Sequence, residues 1–178
     1  AVGQMKIQQE IIKKVNAYID NRRRRIYEDG EKNVYPRDLF GRRCYIEKFS
    51  GPMSDKMFTQ LKSKLAKKEE SFAERLLRLI DESGMTDAEV YKRAGIDRKY
   101  FSKLRNEKER IPKTKVVYAF IFALRLSLGE AKKLLASAGY AVSPARDFDL
   151  VMEFCIIEGY DIDEVNEILL AMNFPSLT

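Results

Sequence analysis

The sequence predicts an all-α protein, and three observations carry that prediction. Apolar residues recur three and four positions apart along most of the chain, the period of a single helix face. Helix-start signals precede several of these stripes: Ser71, Thr86 and Asp161 are each followed three residues on by a glutamate, Glu74, Glu89 and Glu164. Gly95 and Gly159 then stand just past apolar stripes, where a helix closes on a left-handed residue free of a Cβ clash.

Residues 1–4, ahead of Met5, read as an added remnant and are assigned no function. Residues 5–20 read as an amphipathic helix on Ile7, Ile11, Val15, Tyr18 and Ile19. Arg22, Arg23, Arg24 and Arg25 follow as a solvated helix end or loop, or as phosphate contacts, since the guanidinium fork binds phosphate at two points. Glu28, Asp29 and Gly30 predict a turn.

Residues 31–53 read as loops around Pro36 and Pro52, with a faint strand-like alternation over residues 42–49. Here Tyr35, Phe40, Tyr45 and Phe49 alternate with Arg37, Arg42, Arg43 and Lys48. That mixture suits stacking on single-stranded nucleic acid, or a small aromatic core under a basic surface. Residues 5–53 thus form a basic N-terminal region. A connecting helix over residues 54–70 begins at Ser54 and carries Met57, Phe58, Leu61 and Leu65, a seam able to pair with a second copy. A break is expected at Ser71.

Residues 85–110 are the most informative stretch. Thr86 caps a first short helix with Val90 and Ala94 on its inner face; Gly95 and Ile96 make a tight turn. Asp97 caps a second helix over residues 97–108, with Phe101 and Leu104 inward. Arg98, Lys99, Ser102, Lys103, Arg105 and Asn106 are left facing outward, a basic, hydrogen-bonding surface that fits a DNA major groove. After a loop at Pro112, residues 114–126 are apolar nearly all round and predict a buried central helix. Residues 127–139 predict a further helix, and residues 147–158 and 161–172 a final pair about Gly159. The stripes of that pair, Phe148, Val151, Met152 and Cys155, and Ile162, Val165, Ile168, Leu169 and Met172, either cover the side of the domain or form a dimer face.

Charge is polarised along the chain. Residues 1–70 carry 17 basic and 10 acidic side chains, residues 84–140 carry 13 and 6, and residues 141–178 carry one basic residue against eight acidic. The basic blocks favour a polyanion. The acidic block cannot face the same phosphates, so it points away or covers the basic surface until displaced. With no histidine, zinc sites built on Cys and His and His-based catalysis are excluded. No phosphate-cradling, nucleophile-elbow or dinucleotide motif is present, so the chain reads as a non-enzyme with no cofactor and no metal. Asp161, Asp163 and Glu164 read as helix capping and a solvated acidic face. Cys44 and Cys155 form no spaced motif and fit a reducing cytosol. The longest apolar run, residues 116–124, falls short of the ~20 needed to span a bilayer.

The order of these signals over residues 71–140 resembles the Cro/lambda-repressor class of helix-turn-helix domains, the XRE family. The resemblance implies a five-helix bundle over residues 71–141, flanked by the basic N-terminal region and the acidic pair of residues 142–178. It also implies a sequence-specific, repressor-like regulator of double-stranded DNA, cytoplasmic, of bacterial or phage origin, and bound to the nucleoid. Arg98, Lys99, Ser102 and Lys103 are then the candidates for base edges. Arg105, Asn106, Arg110, Lys113 and Lys115 are those for phosphates, with Arg22 to Arg25 added from the arginine run. Such domains bind paired half-sites as homodimers. Three positions depart from the family pattern. Asp87 stands where a phosphate-contacting Gln is usual. Tyr91 replaces a small residue, and Phe101 replaces an aliphatic one, so the two rings either widen the helix pair or stack at its edge. Two other classes of function stay open: a protein-interaction adaptor or inhibitor that keeps the shape, with the acidic helices as a partner surface, and an RNA or single-strand binder through residues 22–49.

Overall fold

The computed structural model describes residues 2–32, 59, 62, 63 and 69–178, with side chains in the first helix from residue 9 to 25. The described helices are α1 (Val2–Lys32), α2 (Phe72–Ser83), α3 (Asp87–Arg93), α4 (Arg98–Asn106), α5 (Thr114–Ala123), α6 (Leu128–Ser137), α7 (Asp147–Glu158) and α8 (Ile162–Ala171), and no strand occurs among the described residues. The fold is all-α, as expected. The chain forms two compact units, residues 1–23 with 70–178, and residues 24–69. The strand-like alternation at residues 42–49 and most of the connecting helix at 54–70 lie outside the described residues.

Local chemistry starts and stops the helices of the first unit. Ser71, Thr86, Ser127 and Asp161 each accept a hydrogen bond from the backbone N–H three residues on, while Glu74, Glu89, Glu130 and Glu164 each accept one from the cap residue's own backbone N–H. Each such cap is worth about 0.5–2 kcal/mol. The break expected at Ser71 is therefore real: residues 69–71 are non-helical and α2 starts at Phe72.

Two helix lengths differ from the sequence reading. α1 does not stop near Asp20 or turn at Gly30, but runs through the arginine run to Lys32. Arginine and lysine are good helix formers, and one internal glycine costs only about 1 kcal/mol. α5 ends at Ala123 rather than near Leu126, because Arg125 adopts a left-handed φ of 50°. The Leu126 amide then bonds back to the Ile121 carbonyl, closing the helix.

Residues 117–123 of α5 are all buried, so this helix is surrounded on every side, as its composition predicts. It packs against α3, α6 and α8. Its Phe120 ring lies 6.4 Å from Phe72 of α2 and 6.1 Å from Phe101 of α4. Burying each such side chain stabilises the fold by roughly 1.5–3 kcal/mol.

The C-terminal pair belongs to the same unit. Leu150, Val151, Met152, Phe154, Cys155, Ile156, Val165, Ile168 and Leu169 are buried in the common core. Of the two roles open to these stripes, covering the side of the domain is the one observed, and their apolar area is already used within the chain. α1 joins them through Val15 and Ile19, both buried, and through Tyr18, whose ring lies 5.6 Å from that of Phe154. Among the described residues, no helix is long and apolar enough to cross a membrane.

Candidate nucleic-acid interface

The α3–turn–α4 unit is built from short-range signals and sealed by aromatic packing. Gly95 has a φ of 62°, the left-handed region that glycine enters without strain. The Gly95 and Ile96 amides bond back to the carbonyls of Lys92 and Tyr91. Asp97 then accepts from the Lys99 and Tyr100 amides and starts α4. Val90, Ala94, Phe101 and Leu104 are buried, the inner face read from the sequence. Tyr91 and Phe101 place their rings 5.6 Å apart and tilted by 45°. The two rings thus pack against each other at a tilt, and Phe101 continues the contact inward to Phe120.

Arg98, Lys99, Ser102 and Lys103 are all exposed along α4. Arg98, Lys99 and Lys103 form no ion pair with any described residue, whereas the cations around them are engaged. Arg105 pairs with Asp87. Arg110 lies 2.6 Å from Glu107 and sits over the Tyr100 ring, 5.5 Å from its centroid. Lys108, which the sequence reading did not single out, binds Glu74 of α2 at 3.0 Å. Asn106 donates to Ser102 Oγ at 3.5 Å. Lys113 is exposed at the N-cap of α5, and Lys115 Nζ donates to the Ser176 carbonyl at 2.9 Å.

α4 thus has two electrostatic halves. Its first two turns present cations without ion-pair partners among the described residues; from Arg105 to Arg110 its end and the start of the following loop present cations already matched to carboxylates. The hydrogen bond from Lys108 holds the Glu74 carboxyl below its ordinary value, and the one to Glu107 raises the Arg110 guanidinium above its own. At the start of α3, the Glu89 carboxylate takes the Thr86 amide, which holds that carboxyl low too, and Asp87 adds a second negative charge. A helix N-terminus normally attracts an anion. Here the protein supplies that anion itself.

The N-terminal arginines are divided. Arg22 Nε lies 3.2 Å from Glu153 of α7, and Arg23 pairs with Asp147. Arg24 and Arg25 are exposed. Lys132 of α6 reaches the other Glu153 oxygen at 3.0 Å, and Arg146 binds the buried Asp149 at 2.6 Å. Burial alone would raise the Glu153 carboxyl, but the hydrogen bond and charge of Lys132, with Arg22, outweigh it and hold it low. Burial and the facing Glu153 push the Tyr18 hydroxyl up to about 12. Asp147, Asp149 and Glu153 of α7 are thus matched to α1, α6 and Arg146, and among the described residues no acid of α7 pairs with a cation of α4. The long-range partners Asp87–Arg105, Glu74–Lys108 and Arg22–Glu153 carry no sequence signal, because each joins residues far apart along the chain that only the packing of separate elements brings together.

Cys155 is buried, and burial pushes its thiol up to about 12, which leaves it unreactive. Among the described residues, no group of three His, Cys, Asp or Glu side chains is placed to hold a metal ion.

Residues 75–134 match the family model described as the Cro/C1-type HTH DNA-binding domain, about a third of the chain. The match falls inside the span expected from the resemblance and contains α3 and α4 whole. No curated protein and no solved structure matches the chain.

Proposed function

We propose that the chain, which carries a Cro/C1-type HTH DNA-binding domain at residues 75–134, is a sequence-specific regulator that reads double-stranded DNA with α4 in the major groove. The observation that carries this reading is the row of Arg98, Lys99 and Lys103, exposed on one short helix and free of ion pairs with described residues. Arginine and lysine recognise guanine O6 and N7, and Ser102 between them serves either base type. Phosphates are gripped by Lys113 and Lys115, joined by Arg105, Asn106 and Arg110 as the two arginines exchange carboxylates for phosphates.

Random-site selection on duplex DNA with the purified chain tests the proposal. A selected consensus, bound with an affinity that falls steeply with salt and lost in Arg98→Glu, supports it. No consensus, or binding that Arg98→Glu leaves intact, overturns it. Retained binding of a protein partner at high salt would favour the adaptor reading instead. An RNA preference removed by changes at Arg24 and Arg25 would favour the single-strand reading.

One recognition helix covers few base pairs, so high affinity calls for two copies on half-sites about one helical turn apart. Most of the apolar stripes of α7 and α8 is buried within the chain, while Ile157 and Leu170 of the same pair stay exposed.

A further inference from the structure

The segment after α8 returns to the helix-turn-helix. Asn173 takes a left-handed φ of 59°, a conformation asparagine tolerates, and reverses the chain. Phe174 then packs edge-on against Phe148 at 5.9 Å, and Leu177 is buried in the core. Asn166, on α8, grips the returning segment twice. Its Oδ1 accepts from the Leu177 amide at 2.8 Å and its Nδ2 donates to Thr178 Oγ1 at 3.0 Å.

Held this way, the segment touches the DNA-facing unit at two points. The Ser176 carbonyl receives the Lys115 ammonium at 2.9 Å. The Thr178 side chain lies directly on the α3–α4 turn, so close that a Cβ added at Gly95 would stand 2.4 Å from its Cγ2. Gly95 is therefore favoured by its backbone angle, and a Cβ there would also displace the Thr178 side chain.

We propose that Asn166 is a positioning residue for the DNA interface, acting through residues 174–178 to seat the helix-turn-helix turn and aim Lys115; the inference rests on the DNA-binding reading above. A carbonyl acceptor leaves the lysine charge intact while fixing its direction. A long, freely rotating side chain loses rotamer freedom on gripping a phosphate, and a pre-aimed one loses less. The same strap limits the movement of α4 relative to α3, on which base-edge geometry depends.

The test uses Asn166→Ala in the full chain, at a temperature where it and the parent are both folded. Amide exchange at Gly95 and Ile96 should accelerate, and affinity for the selected duplex should fall about 3- to 10-fold. Lys115→Ala should cost less in the Asn166→Ala background than in the parent, the non-additivity expected of coupled residues. Asn166→Asp keeps the acceptor for the Leu177 amide and should recover most of the affinity. Should Asn166→Ala fail to fold, Thr178→Gly removes the contact on the turn and the Oγ1 acceptor of Asn166, keeps the Asn166–Leu177 bond, and should move exchange and affinity in the same directions. Unchanged exchange, or strictly additive losses with Lys115→Ala, overturns the positioning role while leaving DNA binding in place. A parent chain that binds no duplex overturns the DNA reading itself, and the positioning role with it.

Discussion

Asp87, in the first turn of α3, forms an ion pair with Arg105, in the last turn of α4. Asp87, which the resemblance sets at the position of a phosphate-contacting glutamine, is thus tied to α4. On the proposed DNA-binding reading, it both neutralises a cation that would meet DNA and adds negative charge where a phosphate would approach.

Asp87→Asn should therefore strengthen duplex binding. We expect affinity to rise about 3- to 10-fold at low salt, and the slope of log affinity against log salt to steepen by about one as Arg105 becomes a phosphate contact. Stability should hardly change, because exposed ion pairs contribute little. Titrations at several salt concentrations, beside a thermal melt, decide it. Weaker binding would mean that Asp87 chiefly orients Arg105.

Substitutions at Gly95 should be destabilising in order of size. Alanine there costs about 1–2 kcal/mol for the left-handed backbone alone, with crowding against Thr178 added. Valine costs more. Denaturant unfolding of Gly95→Ala and Gly95→Val, alone and with Thr178→Gly, separates the two causes. Equal stability of all variants would contradict the geometry of the turn.

Lys103→Ala and Lys113→Ala should behave differently. The first removes a base contact, so it should cost about 1–3 kcal/mol on the selected site and relax its specificity. The second removes a phosphate contact, weakening all duplexes alike and shallowing the salt slope by about one. The same loss on specific and random DNA for both variants would refute base reading by α4.

Glu153 links α1, α6 and α7 and makes the fold sensitive to acid. Its carboxyl lies below the ordinary value when folded, so the unfolded chain binds a proton first as pH falls. The contribution is complete above about pH 5 and is lost as pH drops through the lowered folded value. Glu153→Gln should cost about 1–3 kcal/mol at neutral pH and flatten the acid side of a stability profile. A profile unchanged in shape would show that the Arg22 and Lys132 contacts contribute nothing.

Binding to DNA should be dimeric even though the C-terminal stripes are core. Light scattering of the free chain, and stoichiometry on one half-site against two, measure this. Tight one-to-one binding to an isolated half-site would exclude the paired arrangement.

What the sequence determined by itself is the part governed by neighbours within a few residues. Thr86 with Glu89, Gly95, and Asp97 specify where two helices start, turn and restart, and the spacing of Val90, Ala94, Phe101 and Leu104 decides which faces turn inward. The apolar composition of residues 117–123 makes α5 a central helix before any partner is known, and the outward row from Arg98 to Lys103 follows by subtraction. Tertiary structure decided the rest, because it depends on which helices meet. Only packing set Glu153 against Arg22 and Lys132, and Asp147 against Arg23, so that part of the acidic block is matched by cations of other helices. Only packing paired Arg105 with Asp87 while leaving Arg98 and Lys103 without a described acid. A charge pattern along a chain gives the sign of each segment, but ion pairing falls off within a few ångströms, and that separation is fixed by the fold.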